Sequence, residues 1–246
     1  MMKVDEFIGQ LEKAASCSTL YVMGCFGWPM TESNKARCIK EEKYNQRPER
    51  KQMIEATDVN VFGFDCVNLI KGILWGWDGV MSLTYGGAKY KSNGVPDFGA
   101  DSFFNLCPQK YTDFSRIRKG AAVWMHGHIG VYIGQGKVIE CSPRWQNGVQ
   151  ITHLANTGNT MGHSRIWTAW GLIPFVDYDE EKETKPTGIY NKVDECPEYA
   201  RDAVGWFVSE KIITGINAQG DLGLDSKDIR TLTILYRTLK NRGLIK

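Results

Sequence analysis

The chain has 246 residues, 42% of them hydrophobic and 24% charged, with a formal net charge of +2. Those proportions are ordinary for a globular protein, and the length suits one substantial core of about 200 residues with a small appendage. So small a net charge demands no polyanion, no basic block interleaved with aromatics points to nucleic acid, and no run of about 18 apolar residues suggests a membrane span.

Residues 1–8 mix Lys3, Asp5 and Glu6 among apolar side chains and contain no small-residue cleavage site. They do not read as a secretory signal, so synthesis in the cytoplasm is expected. Residues 4–15 place Phe7, Ile8, Leu11 and Ala14 at helical spacing. The next stretch, residues 19–29, is aromatic and glycine-rich, with too many breakers for a long regular element. It contains Tyr21 and Cys25. Residues 31–44, dominated by Lys, Arg and Glu behind Thr31, predict a solvated helix capped by that threonine. The basic excess of residues 47–51 reads as wet surface, with a groove contact to carboxylates as the alternative.

The stretch Gly63-Phe64-Asp65-Cys66-Val67-Asn68-Leu69-Ile70-Lys71-Gly72-Ile73-Leu74-Trp75-Gly76-Trp77 organises the rest. Val67, Ile70, Ile73, Leu74 and Trp77 recur at three and four residues, which predicts a helix with one buried face opening at Cys66. A thiol there meets the positive end of the helix dipole and free backbone N–H groups, which favour the thiolate and can hold an oxyanion. Cys25 lies between glycines and opens no amphipathic helix, so Cys66 is the better nucleophile. Residues 85–99 are dense in turn formers, as in loops that shape specificity beside a cleft.

After a strand over residues 121–125 comes Gly127-His128-Ile129-Gly130-Val131-Tyr132-Ile133-Gly134, a β-rich run ending in the hairpin signal Gly134-Gln135-Gly136. Regular alternation would set His126 and His128 on one face, with His126 flanking the cleft mouth. The return strand over residues 137–141 carries Glu140, placed to orient an imidazole and stabilise its cation. Cys66, His128 and Glu140 thus form a candidate nucleophile, base and orienter. Trp145 is a candidate platform for a sugar or peptide. Asn147 or Gln150 is an alternative orienter or oxyanion donor. A strand is expected over residues 149–154, and residues 167–176 read as an aromatic final strand with core tryptophans.

Seven cysteines at irregular spacing favour reduced thiols over a disulfide framework, and no Cys-x-x-Cys pair announces zinc. A metal set of His126, His128, Cys141 and His153 arises too easily by chance, so neither metal nor organic cofactor is expected. Residues 177–189, charged and ending at Pro and Gly, are the linker between residues 1–176 and 190–246. The tail predicts two helices, one opened by Pro197 with Ala200, Ala203, Val204, Phe207 and Val208 on one face. The second is capped by Asp225, with Ile229, Leu232, Leu235, Tyr236 and Leu239 inward.

A cysteine after Asp at a helix start, then Gly-His-Ile-Gly-Val-Tyr-Ile-Gly, then a polar residue on the next strand, resembles the NlpC-type and CHAP-type papain-like peptidoglycan hydrolases over roughly residues 20–176. Val67-Asn68 stand where NlpC-type chains have Ser-Gly, and Glu140 is closer to the CHAP arrangement. The resemblance implies an α+β fold, helix packed on antiparallel sheet, and hydrolysis of a peptidoglycan amide by Cys66, His128 and Glu140. It also implies Tyr21 in the groove, a buried core tyrosine being the alternative, while Asp65, Trp145 and Asn147 are candidate substrate contacts from the sequence itself. A D,L-endopeptidase within the stem peptide is the first expectation, an N-acetylmuramoyl-L-alanine amidase the second. A non-catalytic wall-binding or structural phage protein is the reading from another class. An endolysin-like enzyme without a signal would reach the bacterial cell wall after release by a lysis system. The tail, through Ile212-Ile213-Thr214-Gly215 and Thr233-Ile234-Leu235-Tyr236-Arg237, resembles one S-layer homology unit. That implies binding of a secondary wall polymer, or homo-oligomerisation through paired units.

Overall fold

The computed structural model describes residues 1–158, 160–178, 189–217 and 219–245. Most of the expected linker falls outside them. The chain divides into two compact units, residues 1–179 and 180–246.

The first unit begins with a short strand β1 (Met2–Lys3) and the helix α1 (Val4–Ser16), whose buried residues are the expected Phe7, Ile8, Leu11 and Ala14. Then come β2 (Thr19–Tyr21), β3 (Phe26–Pro29), the helices α2 (Glu32–Glu41) and α3 (Pro48–Ala56), and β4 (Phe62–Phe64). Strands β2, β4 and β3 pair in that order as a small sheet. Thr31 caps α2 by accepting the Asn34 N–H, as expected. The helix is less solvated than its charge suggests, because Lys35 and Cys38 are buried.

Arg47, Pro48, Glu49 and Lys51 are exposed, as expected, at the start of α3, but Arg50 departs from that reading: it is buried, donating to Asn147 Oδ1 at 2.7 Å and to the Tyr21 carbonyl. A buried cation needs such acceptors, and backbone and amide oxygens provide them.

Helix α4 (Cys66–Leu74) follows β4 directly. It is buried on every side, not on one face, and it stops at Leu74, short of Trp77. Gly72 lets it lie against β3, since a Cβ there would fall 2.5 Å from the Phe26 carbonyl oxygen. Lys71, although charged, is inside and paired with Asp97.

After α5 (Ala100–Asn105) the chain builds a seven-stranded sheet from β5 (Lys110–Tyr111), β6 (Ala122–Met125), β7 (His128–Gly134), β8 (Lys137–Ser142), β9 (Gly148–Leu154), β10 (Ser164–Arg165) and β11 (Ala169–Gly171). Their order is β10-β9-β8-β7-β6-β11-β5, antiparallel except where β10 runs parallel to β9. Ile129, Val131, Ile139 and Cys141 enter the core that holds α4, while Val123, Val138, Trp167 and Trp170 form a separate cluster. Alternate strand residues point to opposite faces, so one sheet serves both cores.

Two strand expectations are corrected. His126 and Gly127 make the tight turn between β6 and β7, so His126 does not share a strand face with His128. Residues 167–176 are not one strand: β11 ends at Gly171, and only β12 (Val176–Asp177), paired with β1, follows.

The second unit holds α6 (Glu198–Ser209) and α7 (Ser226–Asn241) around Cys196, Ala200, Val204, Leu222, Leu224 and Ile229. Asp225 closes a capping box with Asp228. Leu235, expected inward, is exposed, and Thr233 is buried in its turn of the helix. No helix among the described residues is long and apolar enough to cross a membrane.

Candidate active site

Asp65 is the N-cap of α4. Its carboxylate accepts the Asn68 N–H at 2.8 Å, the Asn68 side-chain amide at 2.7 Å and the Gly24 N–H at 2.8 Å. These bonds use both oxygens to fix the helix start, which sets the position of Cys66 one residue on.

The Cys66 thiol is buried at that first turn. Backbone N–H groups of Val67, Ile129 and Cys66 itself act on its charge. Those donors favour the thiolate, but removal from water and the adjacent Asp65 charge outweigh them, and the thiol is pushed up to about 12. The helix dipole therefore loses to burial here, contrary to the sequence expectation of an activated thiolate. Proton removal must be supplied by a neighbour.

His128 opens β7, one residue before Ile129, whose N–H favours the Cys66 thiolate. Its Nε2 lies 2.7 Å from Glu140 Oε2, and its ring stacks on Trp167 with centroids 5.4 Å apart and planes at 12°. With Nε2 facing a carboxylate, the hydrogen is assigned to Nε2, and Nδ1 is left to exchange a proton. Gly130 makes room for this contact, since a Cβ there would stand 3.2 Å from Glu140 Cβ.

Glu140 has no exposed surface. It accepts from Thr152 Oγ1 at 2.8 Å, from Arg165 Nε at 3.1 Å and from Arg165 Nη2 at 2.8 Å, in addition to His128. Burial works to raise its carboxyl, but the bonds from His128 and Arg165 together prevail and hold it below the usual glutamate value. Thr152, Arg165 and Trp167 were not singled out from the sequence as parts of a site. Arg165 and Trp167 flank no motif, and Arg165 arrives through a short strand paired in parallel with β9, which local periodicity cannot announce.

A cavity of about 800 Å³ opens beside the thiol. Tyr21, Asp65 and Cys66 line it, with Phe26, Trp28, Tyr85, Tyr90 and Phe98 as an aromatic wall. Tyr85, Tyr90 and Phe98 come from the turn-dense loop of residues 85–99. Arg37 lies over the Trp28 ring at 4.6 Å and donates to the Tyr85 hydroxyl at 2.6 Å.

The structure does not bring Trp145 and Asn147 to this wall. Trp145 stacks on His163 at 5.0 Å and faces the Arg165 guanidinium, while Asn147 is tied to Arg50. Gln150, the alternative orienter, is buried and spends its amide on the carbonyls of Ser142, Arg144 and Gly148. Cys25 is wholly buried against Cys38, and burial pushes its thiol well above the usual value. His126 stands exposed 3.3 Å from Asp101. Among the described residues no three His, Cys, Asp or Glu side chains gather as metal ligands.

No family model and no curated protein matches the chain. Two solved structures are similar in outline. One is the p60 domain of an antigen from M. avium subspecies paratuberculosis, 14% identical, covering 69% of this chain and 93% of that one, with a TM-score of 0.36. The other is RipD from Mycobacterium tuberculosis, described as a non-catalytic NlpC/p60 domain protein adapted to peptidoglycan binding, 16% identical, covering 67% and 95%, with a TM-score of 0.34. Superpositions that loose carry no weight for fold or activity, so the functional reading rests on the side chains of this chain.

Proposed function

We propose that the first unit is a cysteine hydrolase of the papain-like, NlpC type that cleaves an amide bond in the stem peptide of peptidoglycan, with D,L-endopeptidase cleavage favoured. One observation carries the reading. A buried helix opens at Cys66 on the wall of the cavity, the N–H of Ile129, the residue after His128, favours its thiolate, and a buried carboxylate holds His128 Nε2 at 2.7 Å.

In this reading Cys66 Sγ attacks the carbonyl carbon while its proton passes to His128 Nδ1. Glu140 keeps the ring in place and steadies the imidazolium that forms. The carbonyl oxygen takes negative charge, met by backbone N–H groups at the start of α4 and by the Tyr21 hydroxyl, which makes no hydrogen bond among the described residues. The imidazolium then protonates the leaving nitrogen, the C–N bond breaks, and an acyl thioester remains on Cys66. Water attacks that carbon as His128 takes a proton, releasing a carboxylic acid and restoring the thiol. Asp65 contributes by capping, and the aromatic wall receives the peptide or its attached sugar. Trp145 serves as an outlying platform, and Asn147 steadies Tyr21 through Arg50. The second unit supplies attachment to a wall polymer or pairing with other copies, and the enzyme meets the wall after release from the cell.

Purified cell wall incubated with the protein and with Cys66→Ala tests this. The wild type is expected to liberate new amino groups and fragments cut within the stem, and the variant none with its circular dichroism unchanged. Intact stem peptides in the mass spectrum would make it an N-acetylmuramoyl-L-alanine amidase. The protonated, buried thiol favours a second reading, a wall-binding protein without turnover. Sedimentation with insoluble wall and no new amino groups would replace the hydrolase with that binder.

A further inference from the structure

Glu140 sits between two partners that want its charge. A carboxylate with no exposed surface must be neutralised where it lies. With His128 as its sole partner, the cheapest solution would be a charged imidazole, since an opposite charge within hydrogen-bond distance favours the cationic form. Such an imidazolium has no lone pair for the proton of Cys66. Burial holds that thiol in its protonated form, so the imidazole must start neutral if it is to act as a base.

Arg165 resolves the conflict. Its guanidinium meets both carboxylate oxygens, Nε to Oε1 at 3.1 Å and Nη2 to Oε2 at 2.8 Å. A planar two-point grip of this kind neutralises a carboxylate more completely than one donor does. The cation has a seat of its own as well. Its centre is 5.0 Å from the Trp145 ring and 5.5 Å from the Trp167 ring, and Nη2 reaches Ser142 Oγ at 3.5 Å. Trp167 is also the ring on which His128 stacks, so one indole sets the spacing of both groups.

We propose that Arg165 is a positioning residue that keeps His128 uncharged between turnovers by taking up the carboxylate charge of Glu140. The inference rests on the reading of Cys66, His128 and Glu140 as a hydrolytic set. Among the described residues, the charged groups set against the imidazole and its carboxylate are Glu140 from β8 and Arg165 from β10, and the Cys66 thiol of α4 is influenced by the N–H of Ile129, next in the chain. Asp101 of α5 binds the Gly127 N–H at 2.7 Å just before His128 and faces His126. Of these, Arg165 alone is a permanent cation.

The test follows the His128 ring through a pH titration by NMR, using isotope-labelled histidine in the full chain and His128→Gln to assign the signal. Three proteins are compared: wild type, Arg165→Gln and Arg165→Lys. Arg165→Gln, which removes the cation, is expected to move the titration midpoint upward by roughly one pH unit, the low end for a charge this close. Arg165→Lys, with a cation but no fork, is expected to move it in the same direction by less. An unmoved midpoint in Arg165→Gln overturns the proposal. Should that variant not fold, Arg165→Met, which also removes the cation, decides in its place: a raised midpoint supports the proposal, an unmoved one overturns it. The readout needs no turnover. A chain that moves the midpoint but releases no amino groups would lose the hydrolase reading only, and an active chain with a fixed midpoint would lose the Arg165 assignment only.

Discussion

Cys66 shows how a single position sums opposing terms. Helix-start N–H groups pull its thiol toward ionisation, while burial and Asp65 push it back, and the second pair wins. Alkylation of Cys66 by iodoacetamide, followed by peptide mass mapping, is therefore expected to quicken about tenfold per pH unit from neutral upward, since only the thiolate reacts. A plateau near neutral pH would mean that the thiolate is already formed. Glu140 gives the opposite sign. Its carboxyl is held below the usual glutamate value of about 4.3, so the native state gains stability above that value and loses it as pH falls through the lower folded value. Urea unfolding at a series of acid pH values should show this loss in the wild type and less of it in Glu140→Gln. The same substitution breaks the ion pair with Arg165 and is expected to cost about 3–5 kcal/mol at neutral pH, the range for removing one partner of a buried pair.

At the level of elements, α4 is the piece whose placement matters most, and two contacts determine it. Asp65 fixes where the helix begins, and Asp65→Ala is expected to destabilise by about 0.5–2 kcal/mol from the lost cap. Gly72 fixes how near it comes to β3. Gly72→Ala would drive a methyl group into the Phe26 carbonyl, which does not move aside as a flexible side chain would. Overpacking of that kind costs about 1–3 kcal/mol, read as a lower urea midpoint. Because the displaced helix carries Cys66, the same variant should lose hydrolysis out of proportion to its stability. The β7–β8 hairpin complements the helix: its tight turn and the absence of a side chain at Gly130 bring His128 and Glu140 onto one face.

The whole molecule consists of two units with separate apolar cores, and damage to one need not reach the other. Ile229→Ala, which empties a wholly buried position in the second core, is expected to cost that unit about 2–5 kcal/mol while wall hydrolysis per folded first unit stays unchanged. Hydrogen exchange at α6 and α7 amides measures the first effect and amino-group release the second. Ile212, Ile216, Ile234 and Leu235 are all exposed on the second unit, and the proposed pairing of copies would have to use them. A monomeric mass in light scattering would end that role.

What the sequence determined by itself was local. Three-and-four spacing marked α1, α4, α6 and α7, a glycine turn between β-rich runs marked the β7–β8 hairpin, and the order of Cys66, His128 and Glu140 suggested the chemistry. The helix and hairpin signals each lie within some fifteen residues, the reach over which one face of a helix or strand repeats. Tertiary structure decided the remainder. It buried the thiol deeply enough to defeat the helix dipole, turned Arg50 inward, and gave Asp65 the cap of α4. It also brought Arg165 to Glu140 from 25 residues away, through a strand two residues long. Solvent exclusion and long-range pairing depend on every neighbour packed around a residue, and those neighbours are not its neighbours along the chain.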